Sequence, residues 1–328
     1  MQHDLRLTIF WVVHLLMLGL FCAELIWVLS VWFKARVPGL PADAPRWQKF
    51  KAVIRLSVSL LLSRRIWILL KALVVDGMVH RRLAAKDRRR WATHMAVFGS
   101  WLVLGIFSTL TGVSVEILPL LGMSPDEVVA IPLLGQLYHA DVGWVALVND
   151  LLGLVTLAGM ALILWRRYGA KDPQLRTMPA DTVILVLMTL IVLGGFPTET
   201  FRLLADYTQP GGVFAPAPTL IALEKLPLGL YDVWGPQWGF VGYLPAVVLG
   251  ALKLEPGVWE VFHNLFFWSH FVTVTALLFL LPFSRFFHVI MSPVIVAYNT
   301  MLATDASHGS AMARQERPQP ASQGGENL

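Results

Sequence analysis

The chain is 328 residues long, 56% hydrophobic and only 14% charged, with a formal net charge of +5. Soluble domains carry charge on about a quarter of their residues, so this composition excludes a soluble enzyme, a disordered chain and a collagen-like repeat. The single cysteine, Cys22, removes disulfide scaffolds, CxxC metal sites, thiolate iron–sulfur clusters and covalent c-type haem attachment. Any redox centre held by this chain must use histidine, methionine or carboxylate ligands. Nine histidines are present.

In chain order, the first apolar run covers about Leu7–Phe33. It is too long for a signal-peptide core and reads as a true membrane span. The basic segment 34–90 follows, with Val53–Leu62 and Ile66–Val79 as short apolar pieces bounded by cations, the pattern of amphipathic helices lying on a membrane surface. The second span is expected at about Trp91–Val113, the third at Val142–Trp165, the fourth at Thr182–Leu204 and the fifth at Gly257–Phe283. Each reaches the ~20 residues that carry a helix across ~30 Å of hydrocarbon. Phe240–Leu252 lies in a Gly- and Pro-rich loop and reads as an interfacial or re-entrant helix. Promoting two of the shorter pieces would give seven spans instead of five. The whole is an all-α, polytopic membrane bundle over residues 1–304, with a polar tail over 305–328 expected to be disordered.

Lysine and arginine set the expected orientation. Segment 34–90 carries fifteen, the 166–178 loop four and the tail from residue 285 three, leaving only four of the 26 for the other side. The positive-inside rule puts the N-terminus outside and the C-terminus in the cytoplasm. Basic residues confined to loops in this way speak for topology and membrane lipid, not for nucleic acid.

Ionisable groups at membrane depth are costly and mark functional sites. They are His14 and Glu24 in span one, His94 in span two, Asp150 in span three, and His263, His270 and His288 in or beside span five. His94 enters from the cytoplasmic side and His288 leaves on that side, so the topology predicts one depth for both. Two imidazoles from different helices suit the axial positions of a six-coordinate b-type haem. His270 precedes His288 by 18 residues, roughly 27 Å or five turns of one helix, which predicts two ligands facing the same way at opposite depths. His263 reads as an interfacial residue, His3 and His80 as solvated, and His308 as part of the tail. A lone histidine near a helix end is ordinarily a packed polar group, so the pairing in depth and phase carries this argument.

The stretch from His270 through Leu281-Pro-Phe-Ser-Arg-Phe-Phe-His288 to Ser292-Pro293 resembles the end of the cytochrome b (gamma) subunit of respiratory nitrate reductase. It is also similar to the membrane subunits of heterodisulfide-reductase-like and sulfite-reduction-associated complexes. Arg88–Gly105 is similar to that family's second helix. Asn149–Leu154 with Arg166-Arg167-Tyr168 resembles the third helix of the iron–sulfur-linked versions, and Asp181–Phe196 with Glu199 and Arg202 their fourth. The resemblance implies haem b, one or two per chain, with His94, His270 and His288 as iron ligands. The histidine that the nitrate reductase subunit uses as partner of His270 falls at Leu104 here. Either the outer haem is absent or another histidine serves, His14 or His139 by depth and His263 as a weaker choice on the same helix, and the departure favours the heterodisulfide-reductase-like group.

A membrane cytochrome of this kind would pass electrons between quinone and an iron–sulfur partner of heterodisulfide-reductase-like type, in the inner (cytoplasmic) membrane. Glu24, Asp150 and Glu199 are candidates for quinone and proton chemistry, and Arg202 for pairing with Glu199 or with a haem propionate. The alternative is a non-redox transporter or a haem-free membrane anchor.

Overall fold

The computed structural model describes residues 2–32, 40–41, 43–138, 143–171, 178–208, 236–252, 254–284, 287–288 and 291–300. His139 and the 305–328 tail lie outside them. Among the described residues every regular element is helical, and five helices are long and apolar enough to cross a membrane. In hydrocarbon a backbone must satisfy its own hydrogen bonds, and a helix does so within one segment.

The helices are α1 (Gln2–Trp32), α2 (Arg46–Leu61), α3 (Ile66–Ala72, prolonged by a wide π turn over Leu73–Met78), α4 (Arg81–Lys86) and α5 (Arg88–Gly112, prolonged to Leu120). They continue with α6 (Pro125–Val129), α7 (Pro132–Tyr138), α8 (Gly143–Leu164, with a π turn over Trp165–Gly169), α9 (Pro179–Thr208), α10 (Phe240–Gly250), α11 (Pro256–Leu280) and α12 over 291–300. The spans are α1, α5, α8, α9 and α11, and the apolar stretches within them are 24, 33, 27, 27 and 24 residues long.

The chain forms two compact units. One comprises Met1–Leu29 with Asp87–Phe287, and the other Ser30–Lys86 with His288–Leu328.

The first unit is the bundle. One end of its core is wholly apolar: Val97, Met160, Ile184, Leu185, Met188, Ile191 and Leu277 pack together from α5, α8, α9 and α11. Lipid is as apolar as leucine, so helices here associate through close van der Waals fit and small residues. Gly159 shows this directly, since a Cβ there would stand 2.7 Å from Val97 Cγ2. Gly153 does the same beneath Phe196, at 2.8 Å. The opposite faces keep large apolar side chains outward, such as Leu15, Leu16, Ile26 and Trp27 of α1, as a lipid-facing surface requires. Outside the spans, Ser124 and Glu127 form a capping box at α6, and the hydrogen bonds from Ser124 hold the Glu127 carboxyl below the usual range.

Two findings differ from the sequence reading. The last span does not run on to His288. α11 stops at Leu280 and the chain turns through residues 281–283, where Pro282 has no N–H to continue the ladder. The five-turn phase between His270 and His288 therefore does not hold, because the helix that would transmit it ends. The second finding concerns the loop helix. α10 is not interfacial: Gly242 and Ala246 are buried, and Ala246 packs with Leu203, Leu204, Ala205 and Trp259. At eleven residues it is about 16 Å long, roughly half the hydrocarbon thickness.

The second unit is smaller. Gly77 lies against Pro293, where a Cβ would meet Pro293 Cα at 2.9 Å. Buried Asp76 holds Arg81 at 3.3 Å and Arg82 at 3.9 Å, and Arg82 also donates to Thr300 Oγ1 at 2.9 Å.

Candidate functional site

The polar residues of the bundle converge where α8, α9, α10 and α11 meet. The positive-inside reading assigns this end to the outer side. Asp150, on the second turn of α8, is 2% exposed. Its Oδ2 accepts the Val241 backbone N–H at 2.7 Å. Val241 lies in the first turn of α10, whose leading N–H groups have no partner within the helix and whose dipole presents positive charge there. The α10 N-cap, Gly239, offers no side chain for the purpose, so a carboxylate from a neighbouring span does the capping.

α9 grips the same turn from the other side. Thr200 is buried, and its Oγ1 lies 3.0 Å from both Phe196 O and Gly242 O. The Glu199 side chain lies over Gly242, whose added Cβ would stand 2.7 Å from Glu199 Cδ and 2.8 Å from Oε2. Further along, Gly250 approaches Leu204 Cδ2, at 3.4 Å from a built Cβ. α10 therefore runs in the same direction as the end of α9. α10 thus begins level with Thr200 and Glu199 and ends level with Leu204.

α11 completes the cluster. His263 is 3% exposed, with Nδ1 at 3.2 Å from Thr198 O and its ring stacked on Phe267 at 6.1 Å. Phe201 lies among Trp259, Phe262 and Phe266, with ring centroids 6.3, 5.1 and 5.3 Å away. The sequence reading placed His263 at the interface. It is instead a core residue of the α9–α11 contact. The available signal was its seven-residue spacing from His270, which puts both on one face of α11.

His270 lies on that face, towards the bundle centre. It rests against the Gly194-Gly195 pair of α9: a Cβ built on Gly194 stands 3.6 Å from His270 Nδ1, and one on Gly195 3.8 Å from Cε1. Nδ1 is buried and makes no hydrogen bond. α1 lies along another face of α11 at this level, with Phe10 5.1 Å and His14 6.3 Å from Phe271. His14 is exposed and stacked on Phe10 at 5.5 Å. Glu24, ten residues and about 15 Å further along α1, has one carboxylate oxygen buried without a hydrogen bond.

At the apolar end, His94 is half-buried and stacked on Phe98, with centroids 5.4 Å apart and planes at 11°. Arg202 of α9 is half-buried and engaged by neighbours, as is Glu199. His288 is exposed and belongs to the second unit. Thus Asp150 and Glu199 are brought together with Thr200 and His263 around α10, while Glu24, His94 and His14 stand at other places. Among the described residues no three His, Cys, Asp or Glu side chains cluster closely enough to hold a metal ion. A haem iron needs only two axial imidazoles. For one of these His270 fits, with a buried nitrogen not committed to a hydrogen bond and a glycine pair beside its ring.

The fold and this cluster define a multi-pass helical membrane protein with an intramembrane polar site. The chain is similar to the E subunits of dihydromethanophenazine:CoB–CoM heterodisulfide reductase from Methanosarcina thermophila and from Methanosarcina barkeri, at 23% identity over 134 residues in each case. The matched part is 41% of this chain and 47% of each relative, so the chain spans about half the length of the curated relatives it matches. This supports the heterodisulfide-reductase side of the resemblance and not the nitrate reductase cytochrome b side. No family profile and no solved structure matches the chain.

Proposed function

We propose that this chain is the membrane electron-transfer subunit of a heterodisulfide-reductase-like complex, binding haem b and passing electrons between a membrane-soluble quinone-type carrier and an iron–sulfur partner subunit in the inner (cytoplasmic) membrane. The observation that carries the reading is His270, inside a five-span bundle, with a buried Nδ1 that makes no hydrogen bond and a diglycine surface beside its ring. Similarity to one subunit of a reductase whose name includes dihydromethanophenazine supports a reducible ring compound as the carrier.

His94 of α5 and His270 of α11 would each help hold a haem, with His288 as the candidate partner of His94 on the sequence alone. Bound haem would supply one-electron relay, with its potential tuned by ligation and burial. The chain's own residues do the rest. The His270 imidazole packs on the Gly194-Gly195 backbone of α9, and Phe98 orients the His94 ring by stacking. A quinone-type carrier takes or releases two protons with its two electrons, which calls for an acid–base group at membrane depth. Glu199 fills that role, since its carboxyl lies in the polar cluster. Asp150 is a second candidate, and its Oδ2, which accepts the Val241 N–H, also holds α10 in place.

The test is a dithionite-reduced minus oxidised spectrum, with haem per protein, on detergent-purified wild type, His94→Ala and His270→Ala. A b-type spectrum in wild type that loses about one haem in a folded variant is the expected result. Folded wild type with no haem, after expression with ample haem supply, sinks the cytochrome and leaves an anchor or a transporter.

A further inference from the structure

The second unit contains a helix with two unlike faces. α2 carries Arg46, Lys49, Lys51 and Arg55 and no acidic residue. At 100° per residue, Trp47, Phe50, Ile54, Val58 and Leu61 fall in one stripe about 80° wide. All five are exposed, from 38% at Phe50 to 61% at Trp47. Lys49, on the opposite face, is buried. The pattern continues beyond the turn after α2, where Leu62 and Trp67 are among the most exposed apolar residues of the chain. At the head of the stripe Trp47 and Phe50 are stacked at 5.3 Å and 15°, and Lys51 Nζ sits 5.0 Å above the Trp47 ring.

We propose that α2 binds an anionic phospholipid surface, with the Trp47–Leu61 stripe entering the boundary between headgroups and acyl chains and Lys51 and Arg55 meeting headgroup phosphates. Three observations carry this. A contiguous apolar stripe left exposed along one helix marks a contact surface. The flanks are cationic only, with Lys51 and Arg55 on one side and Arg46 on the other, which complements an anionic surface and lets their stems lie along the stripe while their charges stay wet. The head of the stripe is tryptophan paired with a cation, a side-chain pair suited to the membrane–water interface. The chain also delivers the helix there: α1 ends at Trp32, and the thirteen residues before Arg46 reach at most about 45 Å, so the bilayer is always within range. The proposal is independent of the redox reading.

The experiment uses the full chain in lipid nanodiscs, in a Cys22→Ser background, with a bimane label at Ile54→Cys on the stripe or at Ala52→Cys off it. Quenching is read against a lipid bearing a nitroxide at a shallow acyl position and against aqueous iodide, with and without phosphatidylglycerol. The expected result is several-fold stronger lipid quenching at residue 54 than at residue 52. In discs containing phosphatidylglycerol, Lys51→Gln and Arg55→Gln each lower the docked-to-undocked ratio about fivefold, with little change in zwitterionic discs. Iodide quenching at residue 54 without lipid quenching overturns the proposal, as does protection from both quenchers, which would mean a protein covers the stripe. Lipid quenching that ignores phosphatidylglycerol overturns the headgroup role of Lys51 and Arg55.

Discussion

The two ends of the bundle share α8, α9 and α11 but are built in opposite ways, with α5 completing one and α10 the other. At one end, Val97, Met160, Ile184, Met188 and Leu277 interlock with no polar group among them, and Gly159 sets the distance. At the other, Asp150, Thr200 and His263 are as deeply buried as any core leucine, and each is committed to a backbone group of a neighbouring helix. The apolar end is held by shape, which lipid cannot replace. The polar end is held by hydrogen bonds, which hydrocarbon cannot supply. Only the second seats the N-terminus of a short helix, α10, whose leading N–H groups need acceptors from their surroundings.

That contrast can be broken from either side. The largest effect is expected from Gly159→Leu, which drives a side chain into Val97 and the Ala96 backbone. Overpacking of this kind costs about 1–3 kcal/mol or more, and a lowered midpoint of thermal unfolding in detergent is the readout. At the polar end, Asp150→Ala leaves the buried Val241 N–H without its acceptor, a loss of about 1–3 kcal/mol. Asp150→Asn keeps a carbonyl oxygen in place and is expected to lose less than half of that. Equal losses would show that charge, not the hydrogen bond, holds α10. Removal of the His263 bond to Thr198 by His263→Phe is expected to cost about 1 kcal/mol while leaving α11 helical by circular dichroism.

The smallest effect lies outside the spans. Ser124→Ala removes the α6 cap, for about 1 kcal/mol of local helix stability, seen as faster amide exchange at Val128 and Ala130. The Glu127 carboxyl is held below its ordinary range by Ser124. Its stabilisation is therefore present above the unfolded carboxyl value of about 4.3 and is lost as pH falls through the lower folded value. The protection of these amides against exchange should fall only in acid, and the dependence should weaken but persist in Ser124→Ala, because residue 124 keeps the backbone N–H that donates to Glu127 Oε2.

Much of the fold could be read from residue order. The five spans follow from apolar length, and their ends agree with the helices to within a turn or two, apart from the longer α5. The amphipathic reading of Val53–Leu62 matches the outward stripe of α2, since one helix's periodicity is a local property. The site was legible in part. Asp150 and Glu199 stood out as ionisable groups at membrane depth, but their roles did not. Asp150 is a cap because α10 lies beside it, and α10 is 90 residues further along the chain. His263 looked interfacial because its neighbours in sequence are near a span end, whereas its neighbours in space are Thr198 and Phe267.

What the order of residues determined by itself was everything set by length, hydropathy and helical period: an all-helical membrane protein, its five crossings, and which side chains share a face of one helix. Tertiary structure alone decided that Phe240–Gly250 packs beside Asp150 and Thr200, and which buried groups satisfy one another. The physical reason is the reach of the forces involved. Burial of an apolar run in lipid depends on that run alone, while the partner of a buried carboxylate or imidazole depends on which other helix comes within 3 Å of it.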